Sequence, residues 1–302
     1  MILNPDNRKI SMTAEQRKET PDSVGIWSMI IRPKRHWFDI DLKELWQYRD
    51  LIILFVRRDF VSRYKQTILG PLWFIIQPLL TTLMFTVVFG KIAKISTDGL
   101  PPVLFYMAGI TAWNYFSTGL TSTSTTFVQN AGLFGKVYFP RLTMPVSVII
   151  SNIIQFGIQL IFLLIFMLFF WISGAKFSPN IYILLIPLLL ILMAGLGLGF
   201  GIIISSLTVK YRDLTYLVSF GVQLWMYATP VVYPLSVLSG KYHFTVLANP
   251  LTSIVETFRF ALLGSGTFSW MNLLYSFGFM IVTLAAGILL FNKIEQSFMD
   301  TV

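Results

Sequence analysis

Two histidines, 14 acidic residues and no cysteine are the whole stock of metal-ligating and proton-transferring side chains in this sequence. His36 and His243 lie far apart in the chain, on opposite sides of a membrane in the topology derived below. Neither a histidine metal cluster nor a Ser-His-Asp triad is therefore to hand. Between Gln66 and Asn292 the acids are Asp98, Asp213 and Glu256 alone. Phosphate chemistry lacks its cradle as well: Gly132, Gly135 and Lys136 have the wrong spacing for a P-loop, and Gly90-Lys91 and Gly240-Lys241 lack the upstream glycine. No catalytic residue, metal ligand or resident cofactor is expected. Glu256 and Arg259, at i and i+3, are spaced to pair on one helix face.

The elements that must carry these few polar groups are apolar. The chain is 55% hydrophobic and 12% charged, with a mean hydropathy of +0.70, whereas a soluble domain carries about a quarter charged residues. No Asp, Glu, Lys or Arg occurs in 66–90, 99–135, 142–175, 177–209, 214–240 or 260–292. Each stretch exceeds the roughly 20 residues that cross a hydrocarbon core of about 30 Å as a helix. Unbroken runs such as Ile158 to Trp171 lack the alternation of barrel strands, so the spans are helices. The predicted fold class is all-α and polytopic, with six spans at about 68–90, 104–127, 142–171, 181–207, 214–236 and 268–290.

Of 23 Lys and Arg, 13 precede residue 66, and positive charge marks the cytoplasmic side. Both termini are then cytoplasmic. Lys136, Arg141, Lys210 and Arg212 fall in inner loops; Lys91, Lys94, Lys176, Lys241 and Arg259 fall outside. Basic charge beside spans reads as a topology signal or a contact with anionic lipid, not as a nucleic-acid surface. Residues 1–36 read as a flexible cytoplasmic leader that does not resemble a signal peptide. Residues 37–67 read as an amphipathic helix opened by a capping box at Asp41 and Glu44, lying along the membrane interface or, alternatively, packed in the cytosol on its own chain. Leu42, Trp46, Ile53, Phe60 and Tyr64 share its apolar face, and Lys43, Asp50, Arg57, Arg58, Asp59 and Lys65 its polar side.

Within the membrane, Pro71 suits the first turn of span one and Pro78 would kink it. The second span ends in a hydroxyl tract from Ser117 to Thr126 that serves either close helix packing or a wet pathway. Gly195, Gly197, Gly199 and Gly201 predict close approach in the fourth. Residues 241–264 are too polar and interrupted to cross, and read as a re-entrant helical pair divided at Asn249 and Pro250. Proton- or sodium-coupled carriers keep ionisable groups at membrane depth; the predicted spans hold none, so energy for transport would come from another subunit.

A set of short motifs adds to this. Leu69-Gly70-Pro71-Leu72-Trp73 with Gln77-Pro78, Asn130-Ala131-Gly132-Leu133, Lys136-Val137-Tyr138-Phe139-Pro140-Arg141, Tyr211-Arg212-Asp213-Leu214, Thr229-Pro230-Val231-Val232-Tyr233-Pro234 and Asn249-Pro250-Leu251-Thr252 occur in that order. The sequence from about 41 to 300 resembles the permease subunit of bacterial ABC exporters for polysaccharides such as O-antigen, with teichoic acid exporters nearby. The resemblance implies a transporter subunit rather than an enzyme, in the inner membrane, acting as a homodimer on two ABC ATPase subunits that hold the ATP and Mg. An undecaprenyl-linked glycan would pass between the permeases. It further implies that the interface helix, with Arg57 and Arg58, and the loop Asn130 to Arg141 touch the ATPase. Leu133, Phe134, Tyr138 and Phe139 would fill a hydrophobic cleft, and Lys136 and Arg141 would meet acidic groups or lipid phosphate, or simply anchor the loop inside. Tyr211, Arg212 and Asp213 would make a second contact.

A glycan needs hydroxyls and aromatic faces along its path, and the candidates, each of which also suits ordinary packing or the interface belt, are Trp113, Tyr115, Phe116, Ser117 and Thr121 on the second span with Trp225, Tyr227 and Tyr233 on the fifth. Asn249, Pro250, Glu256 and Arg259 would form the outer gate. The rival readings are a drug or small-lipid ABC exporter permease, a membrane glycosyltransferase and a channel.

Overall fold

The computed structural model describes residues 42–65, 67–134, 136–208, 211 and 213–298. The expected leader, Asp41 of the expected capping box, Lys210 and Arg212 lie outside them. The described residues belong to one compact unit, and among them every regular element is helical.

Two short helices, α1 (Leu42–Gln47) and α2 (Arg49–Tyr64), lead to a left-handed Gly70 at φ 48°. The chain then enters one continuous span: a 3-10 turn Gly70–Leu72 containing Pro71, α3 (Trp73–Phe85) and a π-helical stretch Thr86–Ile92. Pro78 is accommodated and buried inside α3. There follow α4 (Pro102–Gln129), α5 (Ala131–Phe134), α6 (Thr143–Ile172), a 3-10 turn Ile181–Leu185 continuing into α7 (Ile186–Thr208), and α8 (Leu214–Tyr227). The last elements are α9 (Lys241–Leu247), α10 (Pro250–Leu263) and α11 (Trp270–Phe298).

Gly70–Ile92, Thr143–Ile172, Ile181–Thr208 and Trp270–Lys293 are long and apolar enough to cross a bilayer. The pair α9 and α10 passes the same test only as one unit bent by 90°. Two expected spans depart from this pattern. α4 has ample length at 28 residues but is not among the helices apolar enough to cross, because its hydroxyls and Asn114 dilute it. α8 stops after 14 residues, short of the expected 214–236, where the chain turns at the Thr229-Pro230 and Tyr233-Pro234 steps; each proline removes a backbone donor and disfavours helix in the residue before it.

α4 lies at the centre, packed by α7, α6, α3, α10 and α8. Glycines make this possible. A Cβ on Gly201 would come within 2.5 Å of Thr123, and one on Gly199 within 2.9 Å of the Leu284 backbone nitrogen. A Cβ on Gly287 would in turn lie 2.9 Å from the Gly199 carbonyl, so α7 touches α4 on one side and α11 on the other, backbone to backbone. Small residues at helix contacts supply the van der Waals packing that holds helices together where both states are apolar.

The helix before the first span packs by a different face from the one its apolar periodicity suggests. Phe55 is buried with Tyr48 and Leu51 against Phe139 and Met144, while Trp46 is 70% and Ile53 64% exposed. Apolar residues occur on both sides of this segment: Phe55 of α2 meets the protein, while Trp46 of α1 and Ile53 of α2 stay open.

Candidate functional site

At one end of the bundle, α2, α5 and the start of α6 build a small aromatic latch. The Phe55 and Phe139 rings lie 5.7 Å apart, Phe134 and Phe139 5.5 Å, and Phe127 and Phe134 6.0 Å. Phe127 stacks in turn on Phe291 of α11 at 5.0 Å. Two cations brace the cluster: Arg58 sits 4.8 Å over the Phe55 ring while pairing with Asp59 at 2.8 Å, and Arg141 lies 5.8 Å over Phe134. Phe139, Phe134 and Leu133, expected to present apolar surface outward, instead point inward: Phe139 is buried and the other two are half-buried. Phe55 and Met144 thus pack on three of the four loop residues expected to meet a partner. Lys136, Val137 and Tyr138 remain exposed at the tip, and Val137 escapes notice in sequence because only its neighbours are aromatic. Arg57 of α2 is exposed as well.

The residues expected to make the second ATPase contact lie at the same end. The Thr208 hydroxyl at the end of α7 donates to the Ser124 carbonyl at 3.0 Å, tying α7 to the last turns of α4. Tyr211 and Asp213 follow directly and are exposed.

At the opposite end sits a buried ion pair. Arg259 donates to Glu256 at 2.8 Å and to the Pro230 carbonyl at 2.9 Å, and its guanidinium lies 3.8 Å from the Phe105 ring centroid. Both side chains are 1% exposed, so the pair spaced at i and i+3 is enclosed by protein rather than solvated. The other Glu256 oxygen accepts from the Thr267 backbone N–H at 3.0 Å. One pair thus ties α10 to α4, to the turn after α8 and to the connection before α11. The sequence supports the local geometry here: Asn249 caps α10 by accepting from the Leu251 N–H, Pro250 occupies its first turn, and Gly264 ends it in the left-handed conformation at φ 75°. Asn249 also donates to the Thr229 hydroxyl at 2.8 Å. Two contacts that sequence reasoning missed join neighbouring connections: Ser236 donates to Asp98 at 2.7 Å, and Tyr275 to the Ala248 carbonyl at 2.8 Å.

Between the two ends, the aromatic pathway candidates divide. Trp113, Tyr115 and Phe116 are buried in the core, with Tyr115 against Phe156 and Phe116 against Trp225. Trp225 lines an open apolar groove of about 440 Å³ with Leu120, Phe200 and Val222. Tyr227 is exposed, and Tyr233 donates to its carbonyl at 3.2 Å. Ser117 and Thr121 belong to a more regular feature. From Leu104 to Phe127 every residue of α4 is buried except Asn114, Ser117, Thr118, Thr121, Ser122 and Thr125. These recur at three- and four-residue steps and form one half-open polar stripe. Most of the hydroxyls donate to carbonyls a turn back, as in Thr121 to Ser117 at 2.7 Å and Thr126 to Ser122 at 2.8 Å. Among the described residues no cluster of His, Asp or Glu could hold a metal ion.

These features define a multi-pass helical membrane protein with a bracketed loop surface at one end, a pinned helical pair at the other and a polar stripe between. The family model for ABC-2 type transporters matches residues 50–263; the chain belongs to this family and is a transporter subunit, not an enzyme. It is 28% identical over 253 residues to the O-antigen export system permease protein RfbA of Klebsiella pneumoniae, covering 83% of this chain and 94% of that one. A protein of the same name from Myxococcus xanthus is 28% identical, covering 72% and 82%. The polysialic acid transport protein KpsM of Escherichia coli is 25% identical, covering 81% and 93%. Membership implies an ABC ATPase as partner.

Proposed function

We propose that this chain is the membrane-spanning subunit of an ATP-driven exporter that carries a lipid-linked polysaccharide across a bacterial inner membrane. The observation that carries the reading is the near-full-length similarity to permeases named for O-antigen and polysialic acid export. In this reading α4 and α8 complete six spans, α9 and α10 form a re-entrant hairpin at the outer face, and both termini are cytoplasmic. α1 and α2 lie along the inner boundary, their open Trp46 and Ile53 side in the headgroup region. Lys136, Val137, Tyr138, Tyr211 and Asp213 then face the ATPase with Arg57, while the Phe55–Phe139 latch transmits its movement to α6.

Two copies would stand side by side on two ATPase subunits. The support is α8: only Val222 of its residues is buried, and Ser219 and Gln223 are open at mid-helix. Polar side chains at membrane depth face protein or water rather than lipid tails, so this side of α8 suits a second copy and the path between copies. Glu256 and Arg259 serve the outer gate by holding α10 in place, and Asn249 and Pro250 set its bend. The test is purification of the tagged chain from its native host in mild detergent, followed by reconstitution. A stoichiometric P-loop ATPase and ATP-dependent movement of glycan into vesicles are expected. Purification alone, with transport persisting without ATP, would refute the exporter and favour a channel.

A further inference from the structure

α6 is among the most apolar helices of the chain, yet it carries a run of neutral polar residues. Ser147, Ser151, Asn152, Gln155 and Gln159 recur along it at three- and four-residue steps, and Gln159 meets Asn114 of α4. At about 1.5 Å per residue, Asn152 and Gln159 lie roughly 14 and 24 Å along the helix from Thr143, well within a hydrocarbon core of about 30 Å. Contacts on either side fix the level of Asn152: the Ile149 side chain meets Gly119, and Phe156 packs on Tyr115 at 5.4 Å. Asn152 therefore comes level with the Thr118 turn of the α4 stripe.

The amides there lack protein partners. Asn152 is 1% exposed, and neither its Oδ1 nor its Nδ2 makes a hydrogen bond. Gln159 is 3% exposed; its Oε1 accepts from Asn114 at 3.4 Å, while its Nε2 has no partner. The Ser151 hydroxyl and the Tyr115 phenol beside them are unpartnered too. Buried amides at membrane depth are costly unless something satisfies them, and Asn114, which belongs to the half-open stripe, connects this seam to it.

We propose that Asn152 and Gln159, with Asn114 and the hydroxyl stripe of α4, form a binding track for saccharide hydroxyls. This rests on the exporter reading. Each amide offers a donor and an acceptor together, as a sugar diol does. Charge is absent from the seam, which suits a neutral polyol passing by and not a phosphate or a cation. The unpartnered Tyr115 hydroxyl lies at the same level.

The absence of native cysteines makes the test direct. Asn152→Cys and Gln159→Cys are placed one at a time in the permease, assembled with its ATPase and reconstituted. A small water-soluble methanethiosulfonate is expected to label both during ATP turnover, and lipid-linked glycan extracted from host membranes is expected to slow labelling several-fold. Asn152→Leu and, in case it fails to assemble, Asn152→Ser are expected to raise the apparent KM for that glycan about tenfold, the effect of one lost hydrogen bond. A complex that exports glycan while both cysteines stay unlabelled, or label at a rate the glycan does not change, overturns the track. Protection by undecaprenyl phosphate alone also overturns it, because the seam would then hold the lipid. A native complex that exports no glycan overturns the proposed function beneath it.

Discussion

Glu256 and Arg259 show how much of one residue's role is set by groups far along the chain. Their spacing announces a pair on one helix, but not that Phe105 and the Pro230 carbonyl will enclose it; those partners come from other segments, and a solvated surface pair would have the same sequence. Burial changes the energetics. Removing one partner strands the other charge, so Arg259→Ala is expected to destabilise the protein by about 3–5 kcal/mol. Replacing both, as in Glu256→Gln with Arg259→Met, is expected to recover most of that loss. Thermal unfolding in detergent would distinguish the two, and a single variant as stable as the native chain would show that the pair is not a pin. The pathway aromatics teach the reverse lesson: Trp113 and Phe116 look chemically apt in sequence, yet their rings are spent on packing.

At the scale of elements, helix limits were largely legible because prolines, glycines and capping side chains mark them locally, as at Asn249, Pro250 and Gly264. Helix faces were less so. α2 carries apolar residues on two sides, and periodicity alone does not say which side meets protein and which meets the headgroup boundary. The latch gives a clean contrast between structural and contact residues. Phe139→Ala is expected to cost about 3–5 kcal/mol of stability, whereas Lys136→Ala and Val137→Ala should leave unfolding unchanged while lowering ATP-coupled export. Parallel measurement of melting temperature and vesicle transport checks this; export undiminished in the double variant would remove the tip from the ATPase contact. The glycine seam can be probed likewise. Gly201→Val is expected to prevent folding, since even a Cβ meets Thr123, while Gly221→Ala, with nothing within 4 Å, should be tolerated. Fluorescence-detected size exclusion of the two variants gives the answer.

For the molecule as a whole, the packing is uneven. α4, α7 and α11 are locked by backbone contact, whereas α3 and α8 leave much of their apolar surface open. Light scattering of the purified chain is expected to give twice its 34.5 kDa mass after correction for detergent; a monomer would argue against pairing through that side. Membrane class and the broad layout were legible from the charge-free stretches, because expelling charge from lipid is a demand every span must meet. The count of apolar spans was not, because in the six-span reading α4 would satisfy lipid indirectly, with its hydroxyls bonded back to its own carbonyls and neighbouring helices shielding it. That arrangement has a consequence for how the protein is made. α4 emerges from the ribosome before α6 and before the glycines of α7 that receive it, and it is too polar for a translocon to release into lipid readily on hydrophobicity alone. Its insertion is therefore deferred until later helices arrive, and a chain cut short before α7 should be retained at the translocon or degraded rather than integrated.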